Sequence, residues 1–106
     1  MSYRFMRIIV FFDLPTVTAA DRHNYGVFRR MLIKNGFMML QESVYCRMVL
    51  NATAEHTVIE IIKRNKPESG LVQILTVTEK QYSKMEFITG EFESSVLNSD
   101  ERLVIL

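Results

Sequence analysis

"RIIVFFDLPTVTAAD", Arg7 to Asp21, decides how this chain is read. An unbroken apolar run, Ile8 to Phe12, stops at a carboxylate, Asp13, and is followed by Leu14 and Pro15. With Phe5 and Met6 ahead of it, the run is short, β-branched and aromatic, and it predicts a buried strand over 5–12. Pro15 biases Leu14 toward extended geometry and closes that strand. Thr18 followed three residues later by Asp21 has the form of a capping box, so a helix is expected to begin there. Tyr25, Phe28, Met31 and Leu32 recur at helical spacing and should face a core. The helix is expected to run to about Asn35, with Gly36 as its stop.

Beyond that helix the pattern calls for two short strands, 37–40 and 44–50, joined through Gln41, Glu42 and Ser43. In the second, Val44, Cys46 and Met48 alternate with Tyr45, Arg47 and Val49. A second helix is expected from about Thr53 to Lys66, with Val58, Ile61 and Ile62 on one stripe, broken by Pro67 and Gly70. Leu71 to Val77 reads as a fourth strand. The order β-α-β-β-α-β is that of a ferredoxin-like α+β sandwich. This core takes residues 1–78. Residues 79–106 form an acidic extension of the same domain, ending in "RLVIL". That apolar tail is expected to pair as an additional C-terminal strand with a sheet edge, its own or a partner's.

The 106 residues fit one domain, and 48% hydrophobic with 24% charged residues is a globular composition. No apolar run approaches the ~20 residues of a membrane span. The first residues, "MSYRFMR", lead directly into strand pattern with no signal-peptide form, so cytoplasm is the expected location. Cys46 is the only cysteine, which excludes an internal disulfide and a cysteine-based zinc site. Residues 1–50 carry a net +4 and residues 51–106 a net −3, an asymmetry that suits one polyanion-facing side.

Alternation along the first strand places Met6, Ile8, Val10 and Phe12 on one face, and Phe5, Arg7, Ile9, Phe11 and Asp13 on the other. Two right-handed crossovers put both helices on the same side of the sheet. The second face therefore needs a cover. A second copy packed about a two-fold axis supplies one, giving a homodimer; the extension folding back supplies another. A two-fold axis near Asp13 would bring two carboxylates together, and magnesium is commonly held by one or two carboxylates plus waters. The alternative is a strand-end aspartate accepting N–H groups of its own Asp13–Thr16 turn.

Three short motifs carry a resemblance: "FFDL" (Phe11 to Leu14), "LIKNG" (Leu32 to Gly36) and "LQESVY" (Leu40 to Tyr45). Their order, spacing and total length are similar to those of the small CRISPR-associated adaptation protein family, over essentially the whole chain. The resemblance implies a ferredoxin-like fold and a homodimer formed through the sheets, often with C-terminal strands exchanged. It implies a magnesium-dependent endonuclease acting on RNA or double-stranded DNA, with Asp13 as the catalytic and metal-binding residue. It also implies a role in spacer acquisition, in which the dimer bridges two dimers of the CRISPR integrase subunit and supports the duplex; there the aspartate can be dispensable. The acidic extension looks most like the form accompanying a single large effector nuclease, and is expected to dock on the partner subunit. One departure is the segment after Asp13, less polar here than is usual in the family and stiffened by Pro15.

The first helix carries Arg22, His23, Arg29, Arg30 and Lys34 on one broad arc without interleaved acids, the electrostatic form of a phosphate-backbone contact. Arg7 shares the strand face of Asp13 and could hold a phosphate or pair with an acid across a dimer; Arg4 is a weaker contact. His23 and His56 are the only histidines, and Gln41 and Ser43 belong to the turn. Met38, Met39 and Met48 read as core filler. Two other readings remain: a stand-alone toxin-like endoribonuclease, and a non-catalytic RNA- or small-molecule-binding module, which would show Phe5, Phe11 and Tyr45 on an exposed sheet face.

Overall fold

The structure is a computed structural model that describes residues 5–90. Strand β1 (Met6–Asp13) leads to helix α1 (Ala19–Lys34), the hairpin β2 (Met38–Gln41) and β3 (Val44–Val49), helix α2 (Ala52–Arg64), strand β4 (Leu71–Thr78) and a short helix α3 (Glu79–Tyr82). The four strands form one sheet in the order β2-β3-β1-β4, with antiparallel neighbours throughout. This is the expected βαββαβ topology. The tail Arg102–Leu106 expected to form the additional strand lies outside the described residues, as does Arg4.

Local chemistry sets the helix ends. The Asp21 N–H donates to Thr18 Oγ1 at 3.0 Å and the Thr18 N–H donates to Asp21 Oδ2 at 3.1 Å, so the capping box at α1 is complete. At the other end Gly36 has φ +90°, a left-handed conformation that a Cβ disfavours. There the Phe37 N–H reaches the Leu32 carbonyl and the Gly36 N–H the Ile33 carbonyl, each at 3.0 Å, a Schellman closure. Helix α2 begins earlier than its pattern suggested. Asn51 caps it by accepting the Ala54 N–H at 2.8 Å, so Ala52 already lies in the first turn.

The core lies between the helices and one sheet face. Ile8, Val10 and Phe12 of β1 pack with Tyr45 and Val49 of β3, Phe28 and Leu32 of α1, and Val58 and Ile62 of α2. Phe12 is its aromatic centre, with ring centroids 5.1 Å from Phe28, 5.6 Å from Tyr25 and 5.7 Å from Tyr45. Tyr45, expected on the second face, belongs instead to this helix-side core and is only 1% exposed. It pairs with Val10 across β1–β3, and paired residues share a face.

The second face is apolar and largely uncovered. Ile9 and Cys46 are buried at its centre, flanked by exposed Phe11, Met48, Leu71 and Leu75. Met38, Met39 and Met48 are all exposed, so they are not filler of this core. Met38 and Met48 flank Cys46 on the open face, away from the core between the sheet and helices α1 and α2.

Candidate functional site

Asp13 is the last residue of β1 and is exposed on the open face. Two segments flank it. Its strand partner is Leu71, and the preceding Gly70 presses on it: a Cβ at Gly70 would lie 2.8 Å from the Asp13 carbonyl oxygen and 2.7 Å from Leu14 Cδ2. On the other side the Phe12 N–H donates to the Ser43 carbonyl at 3.0 Å, which sets the β2–β3 turn beside the strand end. Ser43 is thus brought close to the end of β1, whereas Gln41 stays on β2, paired with Val44 of β3. Ser43 holds φ +63°, and its hydroxyl lies 3.0 Å from that of Tyr25.

Among the described residues the Asp13 carboxylate has no hydrogen-bond or ion-pair partner. It takes none of the N–H groups of its own turn, so that alternative does not describe this aspartate. Nor do three His, Cys, Asp or Glu side chains converge on a metal position among the described residues. At the end of β1 the described residues of one chain offer one unpaired carboxylate, Asp13, which fits half of a two-carboxylate magnesium site and not a whole one.

Arg7 lies on the same face, six residues up the strand and about 20 Å from Asp13 at the rise of a β-strand. Its Nε donates to Glu79 Oε2 at 2.5 Å, its Nη1 to Cys46 Sγ at 3.5 Å, and its guanidinium lies 4.2 Å from the centre of the Tyr82 ring. Burial works against the charge, but the hydrogen bonds to Glu79 and Cys46 outweigh it and hold the Arg7 pKa above its ordinary value. Burial likewise raises the Tyr82 phenol. The acid that pairs with Arg7 belongs to its own chain. Glu79 and Tyr82 were not singled out from sequence, because a contact spanning 72 residues leaves no local signal.

The cations of α1 lie in the other layer. Arg22 donates to the carbonyls of Thr16 and Val17 at 3.2 and 2.9 Å, tying down the β1–α1 loop. The side chains of His23, Arg29, Arg30 and Lys34 are exposed and make no hydrogen bond or ion pair among the described residues. The structure brings these five together on one helix and separates them from Arg7. Arg47, also not singled out, caps the C-terminal end of α1 by donating to the Asn35 carbonyl at 2.9 Å. His56 is exposed on α2, apart from both groups.

Fold and site together define a small ferredoxin-like α+β protein with an uncovered apolar sheet face, a free carboxylate at its edge and a separate basic helix. A family model described as CRISPR associated protein Cas2 matches residues 6–85. Over 101 residues the chain is 59% identical to the "CRISPR-associated endoribonuclease Cas2" of Treponema denticola, covering 95% of this chain and 100% of that protein. The protein of the same name from Streptococcus mutans serotype c is 46% identical over 101 residues, covering 95% and 93%. That of Lacticaseibacillus rhamnosus is 43% identical, covering 95% and 100%. The chain belongs to the CRISPR-associated Cas2 family.

Proposed function

We propose that this chain works as a homodimer in CRISPR adaptation, holding duplex DNA on the basic faces of α1 and joining the integrase subunit through its acidic extension. At the dimer axis, Asp13 from both protomers would form a magnesium-dependent endonuclease site. The observation that carries the reading is a carboxylate without a partner at the rim of an uncovered apolar face. Burying that face against a second copy would draw a second Asp13 toward the first. Bound between them, magnesium would supply Lewis-acid polarisation of a phosphodiester and a bound water of lowered pKa. The protein's part is to hold both carboxylates at the strand ends, fixed by Gly70 and the Ser43 turn. The names of the relatives favour RNA as one substrate.

A second reading, a scaffold that binds without cutting, is favoured by the lone carboxylate that each chain brings to the end of β1 among the described residues, and by the cations of α1 that have no ion-pair partner there. Cleavage of labelled duplex DNA and single-stranded RNA, with magnesium and with chelator, separates the two. Nuclease function requires cleavage that needs magnesium and disappears in Asp13→Asn with the dimer intact. Inert wild-type protein that still binds duplex leaves the scaffold. A flat response of duplex binding to salt would remove the scaffold as well, since phosphate contacts release counterions.

A further inference from the structure

We infer that Gly26, half-buried on the outer face of α1, marks the seat for one phosphate of the bound duplex, walled by the exposed Arg22, His23, Arg29 and Arg30. This rests on the reading above that α1 faces DNA, and it names the point of closest approach.

Residues three and four apart are neighbours on a helix surface. The four such neighbours of Gly26 are Arg22, His23, Arg29 and Arg30, three guanidiniums and an imidazole around a residue with no side chain. The acid nearest in sequence, Asp21, is turned to Thr18 in the capping box and makes no ion pair with the ring. Among the described residues His23, Arg29 and Arg30 have no anionic partner, whereas Arg22 uses Nη1 on the loop carbonyls.

The fold itself gives no reason for glycine here. Gly26 lies within the regular span of α1, and no left-handed φ marks it, unlike Gly36, Gly70 and Gly90. No other element presses on it. The nearest atoms that a Cβ would meet belong to Arg30, with Nη1 at 3.1 Å and Cζ at 3.7 Å. Glycine is among the poorest residues for a helix interior, so its presence calls for a reason outside packing. The missing Cβ leaves a notch in which the Arg30 fork lies folded back by one turn, in line with the N-terminal tilt of helical side chains. A phosphate drawn up to the fork held in that notch meets a geometry that suits bidentate contact with two phosphate oxygens. Such a contact positions the duplex without reading its sequence.

The test is duplex binding by full-length protein across a salt series, for wild type, Gly26→Ala, Gly26→Gln and Arg30→Gln, with thermal melting in parallel. Both Gly26 variants should melt at or above wild type, because alanine and glutamine are better helix formers. They should nevertheless bind duplex more weakly, about threefold for Gly26→Ala and about tenfold for Gly26→Gln, the latter with a salt slope smaller by about one phosphate. Adding Gly26→Gln to Arg30→Gln should weaken binding no further, since both act on one contact. Inorganic phosphate at matched ionic strength should displace the duplex no better than chloride. If it displaces duplex from wild type and not from Gly26→Gln, while the two bind duplex equally, the seat belongs to a free anion and the inference fails. Gly26 variants that bind like wild type overturn the seat and leave the DNA reading standing. Wild-type protein without salt-dependent binding overturns both.

Discussion

The hydroxyls of Tyr25 and Ser43 lie 3.0 Å apart, and this contact joins α1 to the turn that supports the end of β1. Ser43 stands in the left-handed region at φ +63°, where a Cβ costs about 1–2 kcal/mol. Its conformation aims its carbonyl at the Phe12 N–H, one residue before Asp13. Removing the hydroxyl while keeping the Cβ should therefore hurt more than removing both. Ser43→Ala is expected to destabilise by about 1 kcal/mol, the worth of a partly buried hydrogen bond, and Ser43→Gly to be close to neutral as relieved strain offsets that loss. Chemical denaturation of the two variants beside Tyr25→Phe checks the order, with Tyr25→Phe expected to match Ser43→Ala.

Gly70 is under a harder constraint. At φ +97° its missing Cβ faces the Asp13 carbonyl oxygen at 2.8 Å and Leu14 Cα at 3.1 Å, both backbone atoms that cannot turn aside. Gly70→Ala combines left-handed strain with overpacking, and a loss of about 2–4 kcal/mol is expected. Because the clash falls on Asp13 and Leu14, cleavage should fall further than the folded fraction does. Activity measured well below the melting temperature of the variant checks this.

The fold was legible where the signals are local. Thr18 with Asp21, Gly36, Pro67 and the β-branched run of β1 each mark an element by chemistry within a few residues. The phase of β3 was not. Val44-Tyr-Cys-Arg-Met-Val49 alternates, but both of its faces carry large side chains. Only pairing of Tyr45 with Val10 shows that Tyr45 enters the core and that Met48 stays outside. A one-residue change of phase exchanges the two sets completely. At the site, Asp13 could be singled out because a carboxylate ending an apolar run stands out in any sequence. The role of Arg7 could not, because Glu79 and Tyr82 reach it only through the β1–β4 pairing. Short helix α3 was also missed. It is one turn long, and its capping box of Thr78 with Gln81 lies in a segment with no apolar period.

Arg7 and Glu79 pin α3 to the open end of β1, with side chains 25% and 36% exposed. Solvent screens a pair this open, so its worth is of order 1 kcal/mol. The readout is better local than global. Glu79→Gln is expected to lower the melting temperature only slightly, yet to speed amide exchange and proteolytic cutting around α3, where local opening is cheapest. Arg7→Gln should do the same and leave the salt slope of duplex binding unchanged, because its charge is already matched within the chain. A smaller slope in Arg7→Gln would instead place Arg7 among the DNA contacts.

The open face tests the dimer directly. Leu71 and Leu75, 54% and 53% exposed, stand on β4 opposite Asp13 and Ile9. If this face closes on a second copy, a two-fold axis places each substitution twice in one interface. Leu75→Lys would then desolvate two unpaired ammonium groups. It is expected to weaken dimerisation by at least about tenfold, a cost of about 1.4 kcal/mol or more. Ile33→Lys, also exposed but on α1 in the helix layer, should leave the dimer intact. Sedimentation equilibrium across a dilution series gives both constants. Cleavage should fall with the dimer in Leu75→Lys, although Asp13 is untouched, and recover at high protein concentration. Such recovery is the mark of a site assembled from two chains. A Leu75→Lys protein that remains dimeric would show that the apolar face is covered by something other than its own copy.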